Sequence, residues 1–97
     1  MAWVYVLYSR KRDIFYIGAT ESSPEERLKK HIEKYYPGNF TTTTTDWELF
    51  YRLECENLHQ ALLIEKHIKK MKSRKYLDNI SKFPEISAKL KQLYTAH

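Results

Sequence analysis

Two short stretches near the N-terminus, "WVYVLY" (3–8) and "IFYIGA" (14–19), carry apolar residues on both faces of an extended chain. Side chains alternate along a strand, so Trp3, Tyr5 and Leu7 share one face of the first, and Val4, Val6 and Tyr8 the other. In the second, Ile14, Tyr16 and Gly18 oppose Phe15, Ile17 and Ala19. A strand that is apolar on both faces belongs to a sheet covered on both sides, which predicts flanking helices. The charged "SRKRD" between the two reads as a solvated hairpin connection, without the Asn-Gly of the tightest turns.

The period then changes. "SSPEERLKKHIEKYYPG" opens with Ser23 as N-cap, Pro24 at the first helical position and Glu26 completing a capping box, and Pro37-Gly38 closes it. Leu28, Ile32, Tyr35 and Tyr36 recur at helical spacing and form its expected buried stripe. A polar connection with five consecutive threonines, Thr41–Thr45, precedes "WELFYRLE" (47–54), whose weak alternation reads as a third strand. Asn57 is placed to cap a long helix through about residue 72. A shorter helical stretch follows around 74–81, and another after Pro84. The pattern predicts an α/β domain: a three-stranded antiparallel sheet flanked by helices on both faces, in the order β-β-α-β-α-α. Residues 1–82 form the body, and residues 83–97 a C-terminal helical extension of the same domain.

The 97 residues suffice for one core. A single cysteine, Cys55, cannot close an internal disulfide, which suits a reducing compartment. No stretch approaches the ~18–20 apolar residues of a membrane span, and the N-terminus lacks a basic region before its short apolar run. The expectation is a soluble cytoplasmic protein without a membrane partner. The charge of +5 changes the picture more, because it is segregated. Residues 1–58 hold eight Lys/Arg and nine Asp/Glu, whereas residues 59–97 hold nine and three. Segregated positive charge suits a polyanion, usually nucleic acid, and equally describes a lysine-rich solvated helix face.

Several residues break the pattern. On the helix after Asn57, Leu58, Ala61, Leu62, Ile64, Ile68 and Met71 span about a half-circle, and Glu65 falls inside that arc. A carboxylate there needs a partner. A divalent cation fits, since hard oxygen donors suit Mg²⁺, and so does an ion pair with Lys, Arg or His. Arg27 and His31, four apart, lie together on the flank of the first helix's stripe. The arginine fork suits phosphate oxygens and histidine can move a proton near neutral pH, although a plain surface pair would look the same. The histidines and Cys55 show no zinc spacing, and two glycines, Gly18 and Gly38, leave no phosphate-cradling loop.

Taken together, these residues resemble the GIY-YIG nuclease domain, most closely its small single-domain members. The two strand motifs read Trp3-Val4-Tyr5 and Tyr16-Ile17-Gly18, "RLKKH" runs from Arg27 to His31, and "ALLIEKHIKKMKSRK" supplies the later glutamate at Glu65. The likeness covers about residues 2–80. Trp3 replaces the first motif's glycine, Asn79 is the nearest match to an asparagine after the glutamate, and the threonine run replaces a loop that is more basic in relatives.

The resemblance implies metal-dependent hydrolysis of phosphodiester bonds in DNA, duplex or branched, with weak sequence preference and a setting in DNA repair or recombination. It implies one Mg²⁺ (or Mn²⁺) per site held by Glu65, charge neutralisation by Arg27, and Tyr5 and Tyr16 positioning or deprotonating the attacking water. His31 competes with Tyr5 as base, since a free tyrosine's pKa of about 10 is poorly matched to neutral pH. Lys69, Lys70, Lys72, Arg74 and Lys75 would grip phosphates without reading bases. No organic cofactor is implied, and a homodimer or a larger repair complex is compatible with the resemblance. The alternative is a module of the same fold that binds nucleic acid without cutting it.

Overall fold

β1 (Ala2–Ser9) and β2 (Ile14–Thr20) pair antiparallel, with Tyr5 opposite Gly18 and Leu7 opposite Tyr16. The turn between them ends on Asp13, whose φ of 53° is the left-handed conformation that a short polar side chain tolerates. Asp46 fastens this turn from the far side of the sheet. Its carboxylate accepts from the Ser9 hydroxyl at 2.6 Å and the Lys11 N–H at 2.8 Å. The computed structural model describes residues 1–33 and 46–95. The threonine run, Tyr35, Tyr36 and the Pro37-Gly38 stop lie outside the described residues.

β3 (Trp47–Cys55) pairs antiparallel with β1, giving the sheet order β2-β1-β3. β1 is therefore central and buried on both faces, as its two-sided apolar pattern requires. The register shifts between Val6, opposite Tyr51, and Leu7, opposite Leu49. Phe50 is the extra residue of a β-bulge, so Phe50 and Tyr51 both join the core beyond the face of Val4 and Val6. That bulge is why the third strand alternates weakly in sequence.

Helices cover both faces. α1 (Pro24–Ile32) starts on Ser23, whose hydroxyl accepts from the Glu26 N–H at 3.1 Å. It lies on the face of Tyr5, Leu7 and Trp47, where Leu28 packs. The expected stripe needs a correction here. Ile32 is 37% exposed, whereas His31 is 1% exposed. The helix is turned so that a polar side chain meets a sheet face that carries tyrosines.

α2 (Leu58–Met71), capped by Asn57, covers the opposite face through Ala61, Ile64 and Ile68. Its buried arc is narrower than the periodicity suggests. Leu62 and Met71 are about half exposed, and Gln60 is buried instead. Gln60 accepts from the Glu56 N–H at 2.8 Å and donates to the Lys91 carbonyl at 3.1 Å, so its amide is satisfied at both ends. Lys72 stops the helix in the left-handed conformation. α3 (Arg74–Lys82) begins at once, capped by Ser73. α4 (Pro84–Leu93) follows after the single residue Phe83, so there are four helices among the described residues. Leu77, Ile80 and Leu90 share one core with Val4 and Val6, and the Tyr51 and Ser87 hydroxyls bond across it.

Candidate active site

Antiparallel pairing puts Tyr5 and Tyr16 on the same sheet face, on neighbouring strands, with Tyr16 opposite Leu7, two residues along from Tyr5. Their ring centroids are 6.3 Å apart. The residue opposite Tyr5 is Gly18, and the tyrosine ring lies over it. A Cβ built on Gly18 would stand 2.5 Å from Tyr5 Oη and 2.6 Å from its Cζ. Glycine here is demanded by space, because the ring occupies the volume a side chain would take.

His31 descends from α1 onto this pair. Its Nε2 is 3.3 Å from Tyr5 Oη, and its ring centroid is 4.6 Å from that of Tyr16. Burial, and then the charge of Arg27 one turn earlier, push the His31 pKa from 6.5 down to about 4. The imidazole is therefore neutral at pH 7. With its proton on Nδ1, the ring accepts the Tyr5 O–H at Nε2; the other tautomer donates to Tyr5 instead. Arg27 is half-buried, with its Nε screened from solvent. Tyr5 is 1% exposed, whereas Tyr16 is only partly buried, so Tyr16 and Arg27 form the outer side of the cluster. The Trp47 ring closes the Tyr16 side at 6.5 Å.

Glu65 is carried by α2, the helix that packs the other face of the sheet. Its side chain is 18% exposed and its Oε2 lies 3.6 Å from Lys69 Nζ, an i,i+4 pair. Lys69 lines a groove of about 340 Å³ with Ile14, Phe15 and Ile17, so the pair lies on the β2 side of α2. Among the described residues no group of three or more His, Cys, Asp or Glu forms a metal cage. One accessible carboxylate still fits Mg²⁺, which binds through one or two carboxylates and takes water and substrate phosphate for the rest. Asn79 is half-buried on α3, where its backbone carbonyl accepts from the Phe83 N–H at 2.8 Å.

The basic run is divided between surroundings. Lys69 and Lys72 face the groove beside β2, Lys75 is exposed, and Lys70 lines a different cleft. Arg74 is committed within the protein. Its guanidinium lies 5.4 Å from the Phe15 ring centroid, and its Nη1 donates to Asp13 Oδ1 at 2.9 Å. The Tyr8 hydroxyl donates to the same carboxylate at 2.6 Å, and these two bonds hold Asp13 below the usual carboxylate range. Asp13 is thus a tie between hairpin and α3 that sequence spacing gives no sign of.

No helix among the described residues is long and apolar enough to cross a membrane. Neither a curated protein nor a solved structure matches the chain. A family model described as the GIY-YIG catalytic domain matches residues 1–77, from the first strand into α3.

Proposed function

The chain belongs to the GIY-YIG catalytic domain family, and from that premise we propose that it is an endonuclease hydrolysing phosphodiester bonds in DNA with weak sequence preference. The family is one of endonucleases that generally depend on a divalent metal. The observation that carries the reading for this chain is the cluster of Tyr5, Tyr16 and a neutral His31, with the Arg27 charge one turn away.

Arg27 meets the non-bridging oxygens of the scissile phosphate and stabilises the charge that grows there, by charge-assisted hydrogen bonds. Tyr16, on the outer side, orients the attacking water. Tyr5, behind it, takes the water's proton while its own passes to His31 Nε2. A phosphate seated on Arg27 offsets one of the two influences that hold the imidazole's proton affinity down. Substrate binding therefore strengthens His31 as an acceptor when it is needed. Glu65 would hold Mg²⁺ or Mn²⁺, which when bound supplies positive charge to the phosphate and leaving oxygen. Lys69, Lys70, Lys72 and Lys75 contribute grip on the backbone. Cys55 is buried and free, in keeping with work in a reducing cytoplasm.

A second reading, a module that grips without cutting, is favoured by one observation: Glu65 is paired with Lys69 on a helix of the opposite face. Plasmid nicking by the parent separates the two, and Arg27→Lys tests the chemistry. The lysine keeps the charge but loses the fork, so nicking of supercoiled plasmid in Mg²⁺ should fall by about 10²–10³-fold at unchanged DNA affinity. Nicking at the parental rate would remove Arg27 from the chemistry.

A further inference from the structure

Beside the α2–α4 junction lies a cleft of about 550 Å³ lined by Lys66, His67, Lys70, Met71 and Tyr94. Its volume falls within the roughly 300–1,000 Å³ of small-molecule sites. Among the described residues no carboxylate lines it. Lys66 and Lys70 are four apart on one helix face, both are exposed, and neither forms an ion pair among the described residues. Two full positive charges outweigh the fractional negative charge that the end of α2 contributes there. The opposite wall is aromatic. Tyr94 is half-buried, its hydroxyl lies 2.9 Å from His67 Nδ1, and the two rings meet edge to face at 5.6 Å. Met71, 45% exposed, leaves an apolar floor beside them.

We propose that this cleft is a second nucleic-acid subsite, which holds a single-stranded segment of the substrate. Lys66 and Lys70 take its phosphates and Tyr94 takes the face of an unpaired base. The inference rests on the nuclease reading and deepens it by naming a substrate feature. A duplex keeps its base faces stacked inside and can offer this cleft only phosphates. A single strand offers both a phosphate and a π-face, the combination that stacking platforms with flanking cations bind. The cleft also lies partly outside the matched region, because Tyr94 falls beyond residue 77. It is a feature of this chain's own C-terminal segment.

The test is fluorescence anisotropy with the full chain, using a labelled oligothymidylate of about 12 nucleotides, within the usual site sizes. A duplex of equal length is measured alongside, both at several salt concentrations. Lys66→Gln with Lys70→Gln should flatten the single-strand salt slope by up to about 1.4, at ~0.7 for each lost phosphate contact. Tyr94→Leu keeps apolar bulk but no π-face, and should weaken oligothymidylate binding by on the order of 5- to 100-fold. Tyr94→Phe keeps the ring and loses the His67 bond just as Leu does, so it should bind almost as the parent and separates stacking from folding. Plasmid nicking by the parent reports the nuclease reading separately. Unchanged single-strand affinity and slope in these variants, while the parent nicks plasmid, overturns the subsite alone. A parent that neither nicks nor binds either oligonucleotide overturns both.

Discussion

Alanine at Gly18 is the smallest change that should disturb the candidate site. Its Cβ would meet Tyr5 Oη at 2.5 Å, Cζ at 2.6 Å and Cε1 at 2.9 Å, each below any ordinary carbon contact. The tyrosine cannot swing away cheaply, because it is 1% exposed and is held between His31 and Tyr16. Overpacking of this kind costs about 1–3 kcal/mol. For a domain of this length each kcal/mol moves Tm by roughly 4–8 °C. Gly18→Ala should therefore lower Tm by about 5–20 °C, measured by circular dichroism. The cause is separable by a double-mutant cycle. In a Tyr5→Leu background the ring is gone and the new Cβ enters vacated space, so the same alanine should be neutral or stabilising. An equal cost of Gly18→Ala in both backgrounds would refute the ring-over-glycine account.

Three further outcomes are expected. His31 has a folded-state pKa near 4 against 6.5 for the unfolded chain, so below pH 6.5 the unfolded state binds more protons. The stability from neutral burial is complete above pH 6.5 and is lost as pH falls towards 4, by up to about 3 kcal/mol. Urea unfolding across that range should show the loss, and His31→Gln should flatten it. Arg74→Ala should lower the urea midpoint, because it releases Asp13 and Phe15, yet should change the salt slope of DNA binding less than Lys72→Gln, which should flatten it by up to about 0.9 on duplex. Asn57→Ala removes the bond from the Gln60 N–H and should cost about 0.5–2 kcal/mol in the same urea assay.

Much of this arrangement is legible in the amino-acid sequence. Two-sided apolar runs mark β1 and β2, and Ser23 and Asn57 both sit where caps are needed. The rest depends on what lies beneath each element. The wheel of α1 favours burying Ile32, because hydropathy alone cannot know that the sheet face below carries Tyr5 and Tyr16. The structure buries His31 there instead. Glu65 and Lys69 are readable as an i,i+4 pair, but the narrowing of the buried arc around Ile64 and Ile68 is decided by Gln60, whose amide ties α2 to α4. The division of the basic run is likewise invisible in sequence. Lys69 and Lys70 are neighbours in the chain, yet they line different clefts, because a helix turns about 100° for each residue.

The proposed function is metal-assisted hydrolysis of DNA by the tyrosine–histidine–arginine cluster, with Glu65 holding the ion. Its most direct test is nicking of supercoiled plasmid, with Mg²⁺ and with chelator, by the parent and by Glu65→Gln. The glutamine keeps the shape of a side chain that is 18% exposed and removes only its charge, so the fold should survive. Mg²⁺-dependent nicking is expected from the parent, none in chelator, and none from a Glu65→Gln variant that unfolds and binds DNA like the parent. A folded Glu65→Gln protein that nicks at the parental rate in Mg²⁺ would contradict the proposal.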